Sequence, residues 1–181
     1  WGYAPLIVSL ANTREVLYLV NRPGNVTSHD GCVPWIDRAI AQVRSRTQRI
    51  CLRGDTDFSL TVEFDRWVEE GVDFLFGMDA HPKVVALAQA LPAAAWTRLE
   101  RLPKYEIATE PRRKPQRIKE AIVRRKAYRN KKLVAESVAE IEYQPLKCQR
   151  SYRLIVLRKN ISGQQGEQVL FDDIKYFFYI T

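Results

Sequence analysis

Long apolar runs are missing from these 181 residues, and with them several protein classes. No stretch approaches the ~18 consecutive apolar residues that a membrane-spanning helix needs. The opening residues, Trp1-Gly2-Tyr3-Ala4-Pro5, have neither the basic region nor the cleavage site of a secretory leader. Cysteine is scarce: Cys32, Cys51 and Cys148 stand far apart, an odd number without C-x-x-C spacing. That pattern argues against a disulfide framework and a thiolate zinc site, and it reads as reduced thiols in a cytoplasmic setting. Histidine is scarcer still, and His29 and His81 share no ligand spacing, which disfavours a His-based zinc centre. There is no phosphate-binding Walker loop, no G-x-S-x-G elbow and no dinucleotide fingerprint. The chain begins with Trp rather than Met, so it reads as an excised piece or as one without its natural start.

What is present is the balance of a soluble globular domain, 46% hydrophobic and 28% charged. The length allows one sizeable core, or a core carrying a smaller subdomain. The net charge of +8 is unevenly spread. Residues 101–132 hold thirteen Lys and Arg against three Glu, a local charge of +10, so the rest of the chain sums to −2. The basic residues singled out for binding are Arg112, Arg113, Lys114, Arg117, Lys119, Arg124, Arg125, Lys126, Arg129, Lys131 and Lys132. A nearly neutral body with one basic stretch suits a polyanion, most simply nucleic acid. The plainer alternative is a solvated basic face with no partner.

The first half alternates strand and helix signals. Residues 5–11 and 15–20 are β-type apolar runs joined by Asn12-Thr13-Arg14, which predicts an antiparallel hairpin. Pro34 suits the first turn of a helix whose face carries Val33, Ile36, Ala39, Ile40 and Val43. Ile50-Cys51-Leu52 is a short buried-type strand. Ser59 can cap a second helix with Leu60, Phe64, Trp67 and Val68 on one face, and Gly71 ends it. Residues 72–77 form another strand, and Pro82 opens a third helix with Val84, Val85, Ala88 and Leu91. Trp35, Trp67 and Trp96 read as helix-face packing.

The pattern changes near Leu99. Residues 104–108 are expected to form a strand, and a short helix is expected near 117–125. Residues 137–143, 152–157 and 169–171 are β-type, with Gln144-Pro145-Leu146-Lys147 as a hairpin connection. The closing Tyr176-Phe177-Phe178-Tyr179-Ile180 reads as a strand buried on both faces, its aromatic rings core rather than base-stacking platforms. The expected class is α/β: a mixed sheet with flanking helices, interrupted by a basic β-rich insertion.

Asp55 holds the most suggestive position. It follows a short apolar strand, where open α/β sheets bind their ligands. Gly54 beside it leaves room and backbone freedom. Mg²⁺ needs only one or two carboxylates plus waters and substrate phosphate, and two such ions can clamp both oxygens of a phosphodiester. Taken alone, an Asp at such a junction is more often a cap of the following turn. Asp57 is a local competitor that also suits a helix start, and Asp79 reads as loop or cap.

Three segments resemble consecutive parts of bacterial insertion-sequence transposases of the DDE superfamily. They are Leu17-Tyr18-Leu19-Val20-Asn21-Arg22-Pro23-Gly24-Asn25, Cys51-Leu52-Arg53-Gly54-Asp55-Thr56-Asp57-Phe58, and Gly71-Val72-Asp73-Phe74-Leu75-Phe76-Gly77-Met78. Residues 168–181 resemble the strand that returns to the core in that family. The resemblance implies an RNase-H-like domain of the cut-and-paste type: a core over 1–98 lacking its first strand, an insertion over 99–168, and a return strand over 169–181. It implies Mg²⁺ or Mn²⁺ held by an Asp-Asp-Glu set that cuts element ends and joins them to target DNA, with Asp55 where the second Asp stands. It further implies a synaptic dimer and a nucleoid-associated, cytoplasmic protein. The first Asp would precede Trp1 and the Glu would follow Thr181, so this fragment is expected not to catalyse strand transfer alone. The alternative is a non-catalytic nucleic-acid-binding protein, such as a decayed transposase remnant.

Overall fold

Arg14 turns the chain at its first bend, with φ at +64°. Its N–H donates to Leu10 O, the Leu10 N–H donates to Glu15 O, and the Thr13 hydroxyl donates to the Glu15 carboxylate. The turn folds β1 (Leu6–Ser9) against β2 (Val16–Val20) as the expected antiparallel hairpin. This is a computed structural model that describes residues 2–101, 121, 122, 125, 129–165 and 168–181. The strand expected at 104–108 and most of the helix expected at 117–125 lie outside them.

Beyond the hairpin come α1 (Val33–Arg44), β3 (Ile50–Gly54), a 3-10 turn (Thr56–Phe58), α2 (Phe64–Glu69) and β4 (Val72–Met78). Then follow α3 (Pro82–Gln89), a second 3-10 turn (Ala93–Ala95), β5 (Thr97–Arg98), β6 (Arg129–Tyr143), β7 (Tyr152–Gln165) and β8 (Gln168–Ile180). The six-stranded sheet runs β3-β4-β8-β7-β6-β5. β3 and β4 are parallel, whereas β5 and β6 are antiparallel, so the sheet is mixed as expected. Contacts divide the chain into two compact units. One holds Trp1–Asp79, Glu142–Leu154 and Tyr179–Thr181; the other holds Ala80–Ile141 and Ile155–Phe178.

The core of the first unit is aromatic. β4 buries Val72, Phe74 and Phe76 on one face, following the two-residue period of a strand. Phe64 and Trp67, one turn apart on α2, are fully buried. Phe64 stacks on Phe74 at 4.2 Å between centroids and meets Tyr152 edge-on at 5.7 Å. α1 buries Ile36, Ala39 and Ile40, and Trp35 lies 5.4 Å from Tyr18 of β2. Arg66 ties α2 to α1: its guanidinium meets Glu63, Asp37 and Glu70 at 2.8–3.1 Å. Burial opposes its charge, but these carboxylates outweigh that and raise its pKa.

Asp65 makes a second set of ties within the unit. Its carboxylate accepts from the Tyr152 hydroxyl at 2.5 Å and from the Gln149 N–H at 2.6 Å. The Tyr152 bond first, and the Gln149 bond after it, hold the Asp65 pKa below the usual carboxylate range. Nearby, the Cys148 thiol donates to Thr61 O at 3.1 Å. Burial pushes that thiol up to about 11.

In the second unit α3 buries Val84 and Ala88. Glu136 of β6 is 7% exposed, and Arg101 clasps it with two nitrogens at 2.6 and 2.9 Å while Lys159 approaches to 3.3 Å. Arg101 leads the causes that lower its pKa. Trp96 stands after a 3-10 turn, not on a helix face, with the Arg158 guanidinium 4.1 Å from its ring centroid.

Three further expectations need correcting. Ser59 does not cap α2; it closes the 3-10 turn, and α2 starts only at Phe64, after Glu63. The pieces read at 169–171 and 176–180 belong to one strand, β8, whose charged residues Asp173 and Lys175 form an ion pair at 3.6 Å. The terminal aromatic run is not buried on both faces. Phe178 is 2% exposed and Ile180 fully buried, whereas Phe177 is 39% and Tyr179 38% exposed. An unbroken apolar run conceals the strand's two-residue alternation.

Replacing Trp67 by Ala should lower unfolding free energy by about 3–5 kcal/mol in urea titration, the range for truncating a large core aromatic. Val62→Ala, at an exposed site, should stay within roughly 0.5 kcal/mol. Because the folded pKa of Asp65 is depressed, its stabilisation is present above the unfolded value and lost as pH falls through the folded one. The stability gap between wild type and Tyr152→Phe should therefore be full at neutral pH and shrink below roughly pH 4. A gap that held or widened in acid would refute the charge-assisted bond.

Candidate metal centre

β3 and β4 run side by side in register, from Ile50 opposite Val72 to Gly54 opposite Phe76. Asp55 is the first residue beyond β3, so its side chain leaves the carboxyl end of a parallel pair. Its backbone is still extended, at φ −79° and ψ −169°. It heads the 3-10 turn, and Oδ1 accepts the Asp57 N–H at 3.2 Å. The cap reading is thus realised, and it uses one oxygen. The residue remains exposed, so its carboxylate is open to a hydrated ion. Capping and metal binding are compatible here, because a carboxylate offers about four lone-pair sites.

Two glycines seat this turn. A Cβ on Gly54 would come within 2.9 Å of Phe58 Cβ and 3.0 Å of the Phe76 ring. A Cβ on Gly77, inside β4, would lie 3.0 Å from Thr56 N and Cγ2. Gly77 was part of the sequence motif, but its contact with Thr56 was not foreseen. A glycine inside a strand signals close backbone approach and was the available clue.

The remaining candidates are spread out. Asp57 is exposed two residues on and shares the turn with Asp55. Asp79 is an exposed residue after β4; the residue that caps α3 is His81, through its backbone position alone. Among the described residues no three His, Cys, Asp or Glu side chains converge as a metal-binding group. The three cysteines are free thiols, with Cys32 and Cys148 buried. Of the basic set, Arg125 and Lys131 are exposed, and Arg129 and Lys132 lie in β6. Arg112, Arg113, Lys114, Arg117, Lys119, Arg124 and Lys126 lie outside the described residues. Among the described residues no helix is long and apolar enough to cross a membrane.

Asp55 is thus an exposed carboxylate at a strand end of a mixed α/β sheet, in a chain that also carries a basic segment. The family model for the transposase DDE domain, group 1, matches residues 1–170. The chain belongs to that family. No curated protein and no solved structure gives a significant match. The mixed sheet and its helices are accordingly an RNase-H-like transposase fold, and the family implies metal-dependent action on DNA.

The donor chemistry at Asp55 fits the hard divalent ions such a domain uses: it is an oxygen ligand, accessible, and held by a turn. The cap and ligand roles separate by substitution. Asp55→Asn keeps an oxygen for the Asp57 N–H and should leave stability within about 0.5 kcal/mol, whereas Asp55→Ala should lose about 1 kcal/mol. Denaturant titration of the two variants checks this. Equal losses would show that the Oδ1 bond contributes nothing to the turn.

Proposed function

We propose that this transposase domain takes part in metal-dependent cleavage and transfer of DNA strands, with Asp55 as a catalytic metal ligand. The position of Asp55 carries the reading: an exposed carboxylate at the end of a parallel strand, in a chain of the DDE transposase family. On this reading residues 1–98 and 169–181 belong to the RNase-H-like core, and residues 99–168 to the basic β-rich insertion. Mg²⁺ or Mn²⁺, when bound, supplies Lewis-acid polarisation of the phosphodiester and activation of the attacking water or 3′-hydroxyl.

The chain's own residues do the rest. Asp55 offers a carboxylate oxygen at a place fixed by β3 and the turn it caps. Arg112, Arg113, Lys114, Arg117, Lys119, Arg124, Arg125, Lys126, Arg129, Lys131 and Lys132 hold backbone phosphates of element ends and target. Such contacts supply position and affinity but little sequence readout. Two copies would bring two element ends together in a synaptic dimer. A non-catalytic DNA-binding remnant is the outcome that would replace this proposal.

In the protein, Asp55→Asn should abolish Mg²⁺-dependent strand cleavage while DNA retention in a gel-shift assay stays at wild-type level. Cleavage at the wild-type rate by that variant would eliminate Asp55 as a catalytic ligand. Changing Arg112, Arg113 and Lys114 together to Ala should flatten the slope of log binding constant against log salt by about 2.7, at roughly 0.9 per duplex phosphate contact. An unchanged slope would place these three away from DNA.

A further inference from the structure

We propose that Arg53 is a phosphate ligand: its guanidinium takes a backbone phosphate of DNA lying against the open face of β3 and β4 beside Asp55. The inference rests on the reading that this strand end faces DNA, and it does not need Asp55 to hold a metal. In the parallel pair, Phe74 and Phe76 of β4 turn toward Phe64 of α2. Cys51, opposite Asp73, and Arg53, opposite Leu75, therefore belong to the other face of the two strands. Cys51, Arg53 and Asp73 are all exposed there. Asp55, its backbone still extended, continues the same alternation. It stands about 6.7 Å beyond Arg53, two residues on at the ~3.3 Å that a strand rises per residue.

Other arginines of this unit are committed to the fold. Arg22 donates to the carbonyls of Ala4, Ser28 and Asp30, and Arg44 donates to Glu70 O. Arg49 pairs with Asp73, and Arg66 meets Glu63, Asp37 and Glu70. Arg53 has no hydrogen-bond or ion-pair partner among the described residues. Its charge is therefore open to a ligand, while pairing of β3 with β4 along its length fixes its backbone. A polyanion that approaches Asp55 meets a like charge, and the guanidinium two residues away supplies the opposite one. The planar fork of N–H donors matches two phosphate oxygens at once.

Titration of the 181-residue chain against a fluorescent DNA duplex of mixed sequence, in EDTA, tests this without any divalent ion. Arg53→Ala should weaken binding severalfold. It should also flatten the slope of log binding constant against log salt by about 0.9, the value for one duplex phosphate contact. Arg53→Lys keeps the charge and should restore the wild-type slope. Arg46→Ala removes the same charge from an exposed residue just beyond α1, and its binding should match wild type. Cys51 gives a local readout on the Arg53 face, because its thiol is exposed whereas Cys32 and Cys148 are buried. Saturating duplex should slow Cys51 alkylation by iodoacetamide severalfold, as followed by peptide mass spectrometry. An unchanged slope in Arg53→Ala overturns the inference. So does a slope in Arg53→Lys as flat as that of the Ala variant, an equal loss in Arg46→Ala, or a Cys51 that the duplex leaves unprotected. Each of these leaves the proposed function standing. Wild-type chain that shows no salt-dependent binding of DNA removes that function's phosphate-holding role, and this inference with it.

Discussion

The parallel register of β3 and β4 governs the first unit. With Gly54 opposite Phe76, Phe74 and Phe76 point together toward α2, where Phe64 stacks on them. Asp73 falls on the other, exposed face and pairs with Arg49 at 2.8 Å. A slip of one residue would reverse every side chain, burying Asp73 and exposing the two rings. The same register sets Gly77 beneath Thr56 and sends Asp55 off the end of the sheet. Core packing and the placement of the candidate ligand are therefore one constraint seen from two ends of the strand.

α2 depends on that constraint more than on its own sequence. Six residues are too few for a helix to hold its shape in water. It stands because Phe64 and Trp67 are buried and because its polar side is tied down. Arg66 gathers three carboxylates, and Asp65 receives the Tyr152 hydroxyl and the Gln149 N–H. The Asp65 bonds join residues more than eighty positions apart, so they fix chain segments that local propensity cannot bring together. Cys148 contributes as a neutral donor, its thiol pushed further up by burial, to about 11. That role needs no partner cysteine.

Glu136 does comparable work in the second unit. A buried carboxylate without partners would be strongly destabilising, because desolvation removes what water supplied. Arg101 and Lys159 restore it, and the Leu99 N–H donates to the Glu136 carbonyl at 3.0 Å. Arg101 is also the first residue of the basic stretch. One cation at the edge of that stretch is thus committed to the fold, and the charge available to a polyanion is correspondingly smaller than a count of Lys and Arg suggests.

Much of this was legible in the sequence, for local reasons. Pro34 and Pro82 marked helix starts, Gly71 marked a helix end, and the apolar spacing gave the buried faces of α1 and α3. Asp55 was visible as a strand-end carboxylate, and the ordered motifs around it pointed to the transposase family that the match over residues 1–170 bears out. Where pattern failed, a nonlocal cause was at work. Ser59 had the right chemistry for a cap, but Asp55 had already bent the chain into a 3-10 turn. The run from Tyr176 to Ile180 is apolar throughout, so composition carried no trace of which rings face outward. By itself the sequence determined the order of elements, the charge asymmetry and the candidate ligand, because each depends on neighbours in the chain. Only the tertiary structure decided that Gly77 seats the Asp55 turn and that Asp65 meets Tyr152, because those contacts exist only once the strands and helix have been brought together.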